Sequence, residues 1–158
     1  MSTNPSRYER LRGFLGGDDA GLSENAELGL LSLELVGQTA QFNLVARADD
    51  DAGLVTFLVE APFACPADRR PDLTSLLERA NLELSAGAWV HDVIDGAFGF
   101  RMAAMIEPEE MTQERLSHLL FYTCASLERA LPAVHALCQG ELTPQDALPR
   151  MHDRLEVL

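Results

Sequence analysis

The chain has 158 residues, 47% of them hydrophobic, and its 25 acids against 12 bases leave a net charge of −13. A chain of this length can bury about 70% of its unfolded surface, so it needs neither a disulfide nor a metal to fold, and its apolar content argues against disorder. All twelve bases are arginines, scattered from Arg7 to Arg154 without a basic patch, which weighs against direct nucleic-acid binding because few counterions would be released from phosphates.

Cys65, Cys124 and Cys138 form no CxxC pair, the start MSTNPSRYERLRG has no apolar signal segment, and no apolar stretch approaches about 18 residues. The expected compartment is a reducing cytoplasm, with the cysteines as small hydrophobes.

In chain order, Ser6 to Leu15 reads as a helix with Tyr8, Leu11, Phe14 and Leu15 near 3.6 spacing, stopped at Gly16-Gly17. A polar run follows, Asp18-Asp19-Ala20-Gly21. Glu27 to Val36 alternates, with Leu31, Leu33 and Leu35 on one side and Ser32, Glu34 and Val36 on the other, as a half-buried strand does. Gln41 to Arg47 alternates again, and Leu54 to Glu60 is a third strand rich in β-formers. Short connections make these an antiparallel meander. After Pro62, Pro66 and Pro71, Asp72 is the expected cap of a helix whose apolar positions are Leu73, Leu76, Leu77, Ala80 and Leu84. Ala88 to Ile94 and Ala97 to Ile106 are strands joined at Asp95-Gly96, the strongest short-range hairpin signal. Thr112 is the expected cap of a long helix with a buried stripe of Leu116, Leu119, Leu120, Thr123, Leu127, Leu131 and Val134. Pro132 is expected to kink or interrupt it. One more short helix is expected within residues 143–158.

The reading is a single α+β domain over residues 1–158, in the order α-β-β-β-α-β-β-α, with a five-stranded antiparallel sheet flanked by helices. Residues 1–24 are its N-terminal helix and loop, 25–140 its core and 141–158 its tail.

A two-residue Asp95-Gly96 loop would pair Ile94 with Ala97, Val93 with Phe98, His91 with Phe100 and Trp89 with Met102. Cross-strand partners share a face. Trp89, His91, Val93, Phe98, Phe100 and Met102 then form the helix-covered side. Val90, Asp92, Ile94 and Arg101 lie opposite, with Asp92 placed to pair with Arg101. By the same alternation Val36, Val45 and Arg47 join that outer side. It mixes apolar and charged residues, as an interaction surface does.

No constellation for chemistry accompanies this surface. His91 and Asp92, adjacent on a strand, point to opposite faces and cannot readily chelate one ion; His91 reads as a core residue. His135 and Cys138 have ligand-compatible spacing on a helix, but no second His or Cys pair completes a zinc site. Asp49-Asp50-Asp51 and Glu107, Glu109 and Glu110 lack calcium-loop spacing and read as solvated ends of elements. GxSxG, P-loop and GxGxxG patterns are absent. No catalytic, metal or cofactor residue is assigned.

The stretch LLERANLELSAGAWVHDVIDGAFGFRMAAMIEPEEMTQERLSHLL resembles the YbjN family, whose members look like type III secretion chaperones. The resemblance rests on a helix ending in Ala80-Asn81 and on Gly87 with an aromatic beside it. It rests also on the Asp95-Gly96 turn followed by Phe100-Arg101 and on the helix opened by Thr112. It covers about residues 25 to 140 and its motifs are structural rather than catalytic. It implies a helix, three strands, helix, two strands, helix fold, a homodimer, and a role in binding other proteins. Helix surfaces around Leu76-Leu77 and Leu119-Leu120 are the expected self-complementary patches.

Two functional expectations follow. The first is a non-enzymatic, dimeric, cytoplasmic chaperone-like adaptor. It would bind a basic partner protein, a class that includes nucleic-acid-binding proteins, through Val36, Val45, Arg47, Val90, Asp92, Ile94 and Arg101, with no cofactor, membrane or direct nucleic-acid contact. The second is a small cytoplasmic enzyme or ligand-binding domain with a core pocket near His91 and Trp89.

Overall fold

The computed structural model describes residues 3–16 and 20–152. Six strands make one open antiparallel sheet: β1 (Ser23–Asn25), β2 (Leu30–Val36), β3 (Gln41–Asp49), β4 (Leu54–Glu60), β5 (Ala88–His91) and β6 (Phe98–Met105), in the spatial order β1-β2-β3-β4-β6-β5. Four α-helices accompany it: α1 (Arg7–Phe14), α2 (Arg70–Glu83), α3 (Gln113–Cys138) and α4 (Pro144–Arg150). The class is α+β, with six strands rather than the expected five. The additional strand, β1, is three exposed residues and offers no alternation to read.

Strand alternation sorts the sheet into two unlike faces. Phe42, Leu44, Ala46 and Ala48 on β3, Val55, Phe57 and Val59 on β4, and Phe98 and Phe100 on β6 are buried. Over them α1 packs on β3, α2 on β5 and α3 on β4 and β6, while α4 rests on α2 and α3. One buried cluster joins strands and helices. At about 25 cal/mol per Å² of apolar surface, this cluster is the chief source of stability.

The helix starts follow local chemistry. Ser6 and Glu9 form a reciprocal capping box on α1, with Ser6 N–H donating to Glu9 Oε2 at 2.7 Å and Glu9 N–H to Ser6 Oγ at 3.2 Å. Thr112 caps α3 by accepting from the Arg115 N–H at 3.2 Å, as its sequence position suggested. Asp72 does not cap α2. A 3-10 turn, Ala67–Arg69, runs directly into the helix, and Pro71 occupies the first turn where a missing N–H costs nothing. The interruption expected at Pro132 does not occur: α3 continues through it as one 26-residue helix. Leu76 and Leu77 are fully buried in the chain's own core, so they offer no surface to a second copy, and Leu119 and Leu120 are half-buried. Gly17 of the expected helix stop and Asp18-Asp19 of the polar run lie outside the described residues, as does the tail beyond 152.

The β5–β6 hairpin is the main correction to register. His91 pairs with Phe98 and Trp89 with Phe100, each two residues from the partner expected of a two-residue loop. Asp92 and Ala97 are the last bonded pair, leaving Val93 to Gly96 as the turn. Local competition causes the shift. The Asp92 carboxylate accepts from the Ile94 N–H at 2.7 Å and the Asp95 carboxylate from the Ala97 N–H at 2.8 Å, two successive Asx turns. Arg70 then holds the turn by donating to the carbonyls of Ile94 and Asp95. An even shift leaves side chains on their expected faces. Val93 and Ile94, however, leave the sheet and become 61% and 83% exposed.

Two further ties position the sheet. Glu128 on α3 accepts from the Gln38 N–H, 3.0 and 3.1 Å to its two oxygens, fastening the β2–β3 turn to the helix layer. At β5, the Asn81 side-chain amide donates to the Trp89 carbonyl at 3.0 Å and accepts its N–H at 2.7 Å, occupying the slot where another strand's peptide would bond.

Candidate partner-binding face

The face opposite the helices is built from alternate residues that the core does not use. Strand register sets them in rows. Ser32, Val45, Leu58, Arg101 and Ala88 form one row across β2, β3, β4, β6 and β5. Glu34, Asn43, Glu60, Gly99 and Val90 form the next. Leu30, Arg47, Thr56 and Ala103 lie on the other side of the first row, and beyond them stand Asp49, Leu54 and Met105. Val45, Leu58 and Val90 are half-buried by their neighbours alone, and Met105 is 77% exposed. Val45 and Val90 are three strand spacings and one row apart, about 16 Å, with Leu58 beside Val45 in the same row.

Of the residues expected on this face, Val45, Arg47, Val90 and Arg101 are brought together. Val36 is at the far tip of β2, 80% exposed and paired only with Gln41. Asp92 lies just past the end of β5 and Ile94 stands in the turn. The expected Asp92–Arg101 pair is not formed, because the register sets Ala88 opposite Arg101 and Asp92 opposite Ala97, and Arg47 pairs with Asp49 at 3.5 Å. Leu58, the centre of the face, was missed. The run Leu54–Glu60 is apolar on both sides, so alternation within it separates Leu58 only weakly from Phe57 and Val59.

The other residues weighed for chemistry make the following contacts. His91 Nε2 lies 3.0 Å from the Thr74 hydroxyl of α2. Trp89 packs edge-on to Phe100 at 5.0 Å between centroids, and its indole N–H is buried without a hydrogen-bond partner among the described residues. Asp50 and Glu107 both serve Arg7, at 3.2 Å each, while the buried Arg7 Nε donates to the Ile106 carbonyl at 2.8 Å. A cavity of about 350 Å³ adjoins this group, lined by Arg7, Asp50, Asp51, Met105, Glu107 and Glu110 among others. Asp49 accepts from the Ala52 N–H in its own turn, and Glu110 pairs with Arg115 at 3.6 Å. No helix among the described residues is long and apolar enough to cross a membrane. Compared with protein-family models, curated proteins and solved structures, the sequence matches none of them.

Proposed function

We propose that this protein is a non-enzymatic, chaperone-like adaptor of the type III secretion chaperone kind, similar to the YbjN family, that works as a homodimer in the cytoplasm and binds a basic partner protein on its uncovered sheet face. The observation that carries this reading is the asymmetry of the sheet. One face is covered by α1, α2 and α3, and the other leaves Val45, Leu58 and Val90 half-buried among Glu34, Glu60, Asp49, Arg47 and Arg101. An apolar centre with a charged rim suits a protein ligand. The net charge of −13 favours a basic one and repels phosphate backbones.

The test is a double substitution, Val45→Asp with Val90→Asp. These side chains lie on the uncovered face outside the buried cluster, so the variant is expected to fold with an unchanged circular dichroism spectrum. Capture of partner protein from the native cell should be lost, while light scattering should still give about twice the 17.3 kDa chain mass. Unchanged capture would remove the face from consideration. A single-chain mass for the wild type at micromolar concentration would remove the dimer. Tight binding of the purified protein to DNA or RNA at physiological salt would contradict the partner class.

A further inference from the structure

The hydrogen-bond parity of β2 can be read from the two bonds that flank its ladder with β3. Gly37 N–H donates to the Ala40 carbonyl at 2.8 Å, and Ala48 N–H to the Gly29 carbonyl at 2.9 Å. Register runs unbroken between them, from Leu30 opposite Arg47 to Val36 opposite Gln41. Bonded and non-bonded pairs alternate in an antiparallel ladder, so Leu31, Leu33 and Leu35 direct their peptide groups to β3, while Leu30, Ser32, Glu34 and Val36 turn theirs outward. Leu30 and Ser32 meet Asn25 and Ser23 of β1. β1 reaches no further, since Gly21, at φ +66°, turns the chain two residues before it. Among the described residues, no strand pairs with the outward N–H and C=O groups of Glu34 and Val36. The helix side of this stretch is also less covered than its neighbour strand. Leu33 and Leu35 are half-buried, although their cross-strand partners Leu44 and Phe42 are 0% and 3% exposed.

We propose that the two chains of the homodimer proposed above, on which this interface rests, pair antiparallel along the β2 edge, with Glu34 of each chain opposite Val36 of the other. Only this register uses every outward group of both residues. Glu34 opposite Glu34, or Val36 opposite Val36, forms two hydrogen bonds. Its flanking pairs would need Ser32, which β1 holds, or Gln38, whose N–H donates to Glu128. Glu34 opposite Val36 forms four. The two-fold axis then passes between the two Leu35 residues, a non-bonded pair with Cα atoms about 4.5 Å apart and side chains close together. The half-buried leucines of both chains meet on the helix side. Val36, 80% exposed in the single chain, takes Glu34 of the second copy as its cross-strand neighbour. The two Glu34 side chains lie on a diagonal, about 8 Å apart, where salt screens their repulsion. The dimer should therefore tighten as salt rises, the reverse of attraction to a basic protein.

Cross-linking of the full chain reads the register directly. In Leu35→Cys the two introduced thiols face each other across the axis, at a Cα separation that a disulfide spans. Mild oxidation should give a two-chain band on non-reducing gels that dithiothreitol removes. Val36→Cys is the more exposed position, yet its Cα atoms are about 8 Å apart in the dimer, beyond that span. It should stay single, as should the wild type with its three native cysteines. Glu34→Pro removes an outward N–H that the β2–β3 ladder does not use, as an edge strand tolerates. It should keep the circular dichroism spectrum and lower the mass by light scattering to that of one 17.3 kDa chain. A two-chain wild-type mass without the Leu35→Cys cross-link, equal cross-linking of Val36→Cys, or a folded Glu34→Pro that stays dimeric would overturn this interface alone. A single-chain mass for the wild type would overturn it together with the dimer. The cross-link decides the interface even where Glu34→Pro fails to fold.

Discussion

Arg7 shows how burial decides which of a residue's contacts counts. Its side chain is 10% exposed, whereas those of Asp50 and Glu107 are 57% and 71% exposed, so water and salt weaken both ion pairs. The bond to the Ile106 carbonyl is the buried one. Asp50→Asn should therefore cost about 0–1 kcal/mol in urea unfolding, and Arg7→Ala about 1–3 kcal/mol, a gap that persists at high salt. The thiols give a second residue-level expectation. Burial chiefly raises Cys138 to about 12 and Cys124 to about 11, from an ordinary 9.0. The unfolded chain releases these protons first. Their contribution to stability is thus complete below pH 9 and is lost as pH rises through those higher values. The urea midpoint should fall from pH 9 toward 11, and Cys124→Ala should flatten that fall.

The β5–β6 turn is decided at the level of elements. Gly96 has φ +79° and a Cβ there would strike the Cys65 carbonyl and the Arg70 guanidinium, so Gly96→Ala is both strained and crowded. It should cost about 1–3 kcal/mol and open the turn to proteolysis, measured by the urea midpoint and the cleavage pattern. Asp-Gly correctly marked a hairpin here. Its length was not legible, because Asp-Gly does not show that the Asp92 and Asp95 carboxylates take nearby N–H groups, nor that Arg70 from α2 then holds the longer turn. The same division recurs elsewhere. β4 was read to the residue, since its β-formers are bounded by polar ends, and the α3 cap was read from Thr112 alone. β1 has no pattern of its own and exists by pairing with β2. On the outer face, Val45 and Val90 followed from alternation, but their neighbour Leu58 needed the order in which strands pair, which only long-range packing fixes.

At the scale of the whole molecule, the decisive feature is a sheet with two ends treated differently. β1 covers β2 only at Leu30 to Ser32, leaving Glu34 and Val36 without strand partners on that side among the described residues, while the Asn81 amide fills the slot beside Trp89 on β5. An open sheet with two receptive ends can join end to start in each new copy and never stop, which is the geometry of a fibre. The Asn81 amide obstructs pairing along β5 at Trp89, whereas pairing between two β2 ends uses up both and terminates at two chains. Asn81 is in this sense a chain terminator at the level of assembly. Asn81→Ala should leave a dilute solution unchanged in mass and yield progressively larger particles as concentration rises, read by light scattering against a wild type whose mass stays constant.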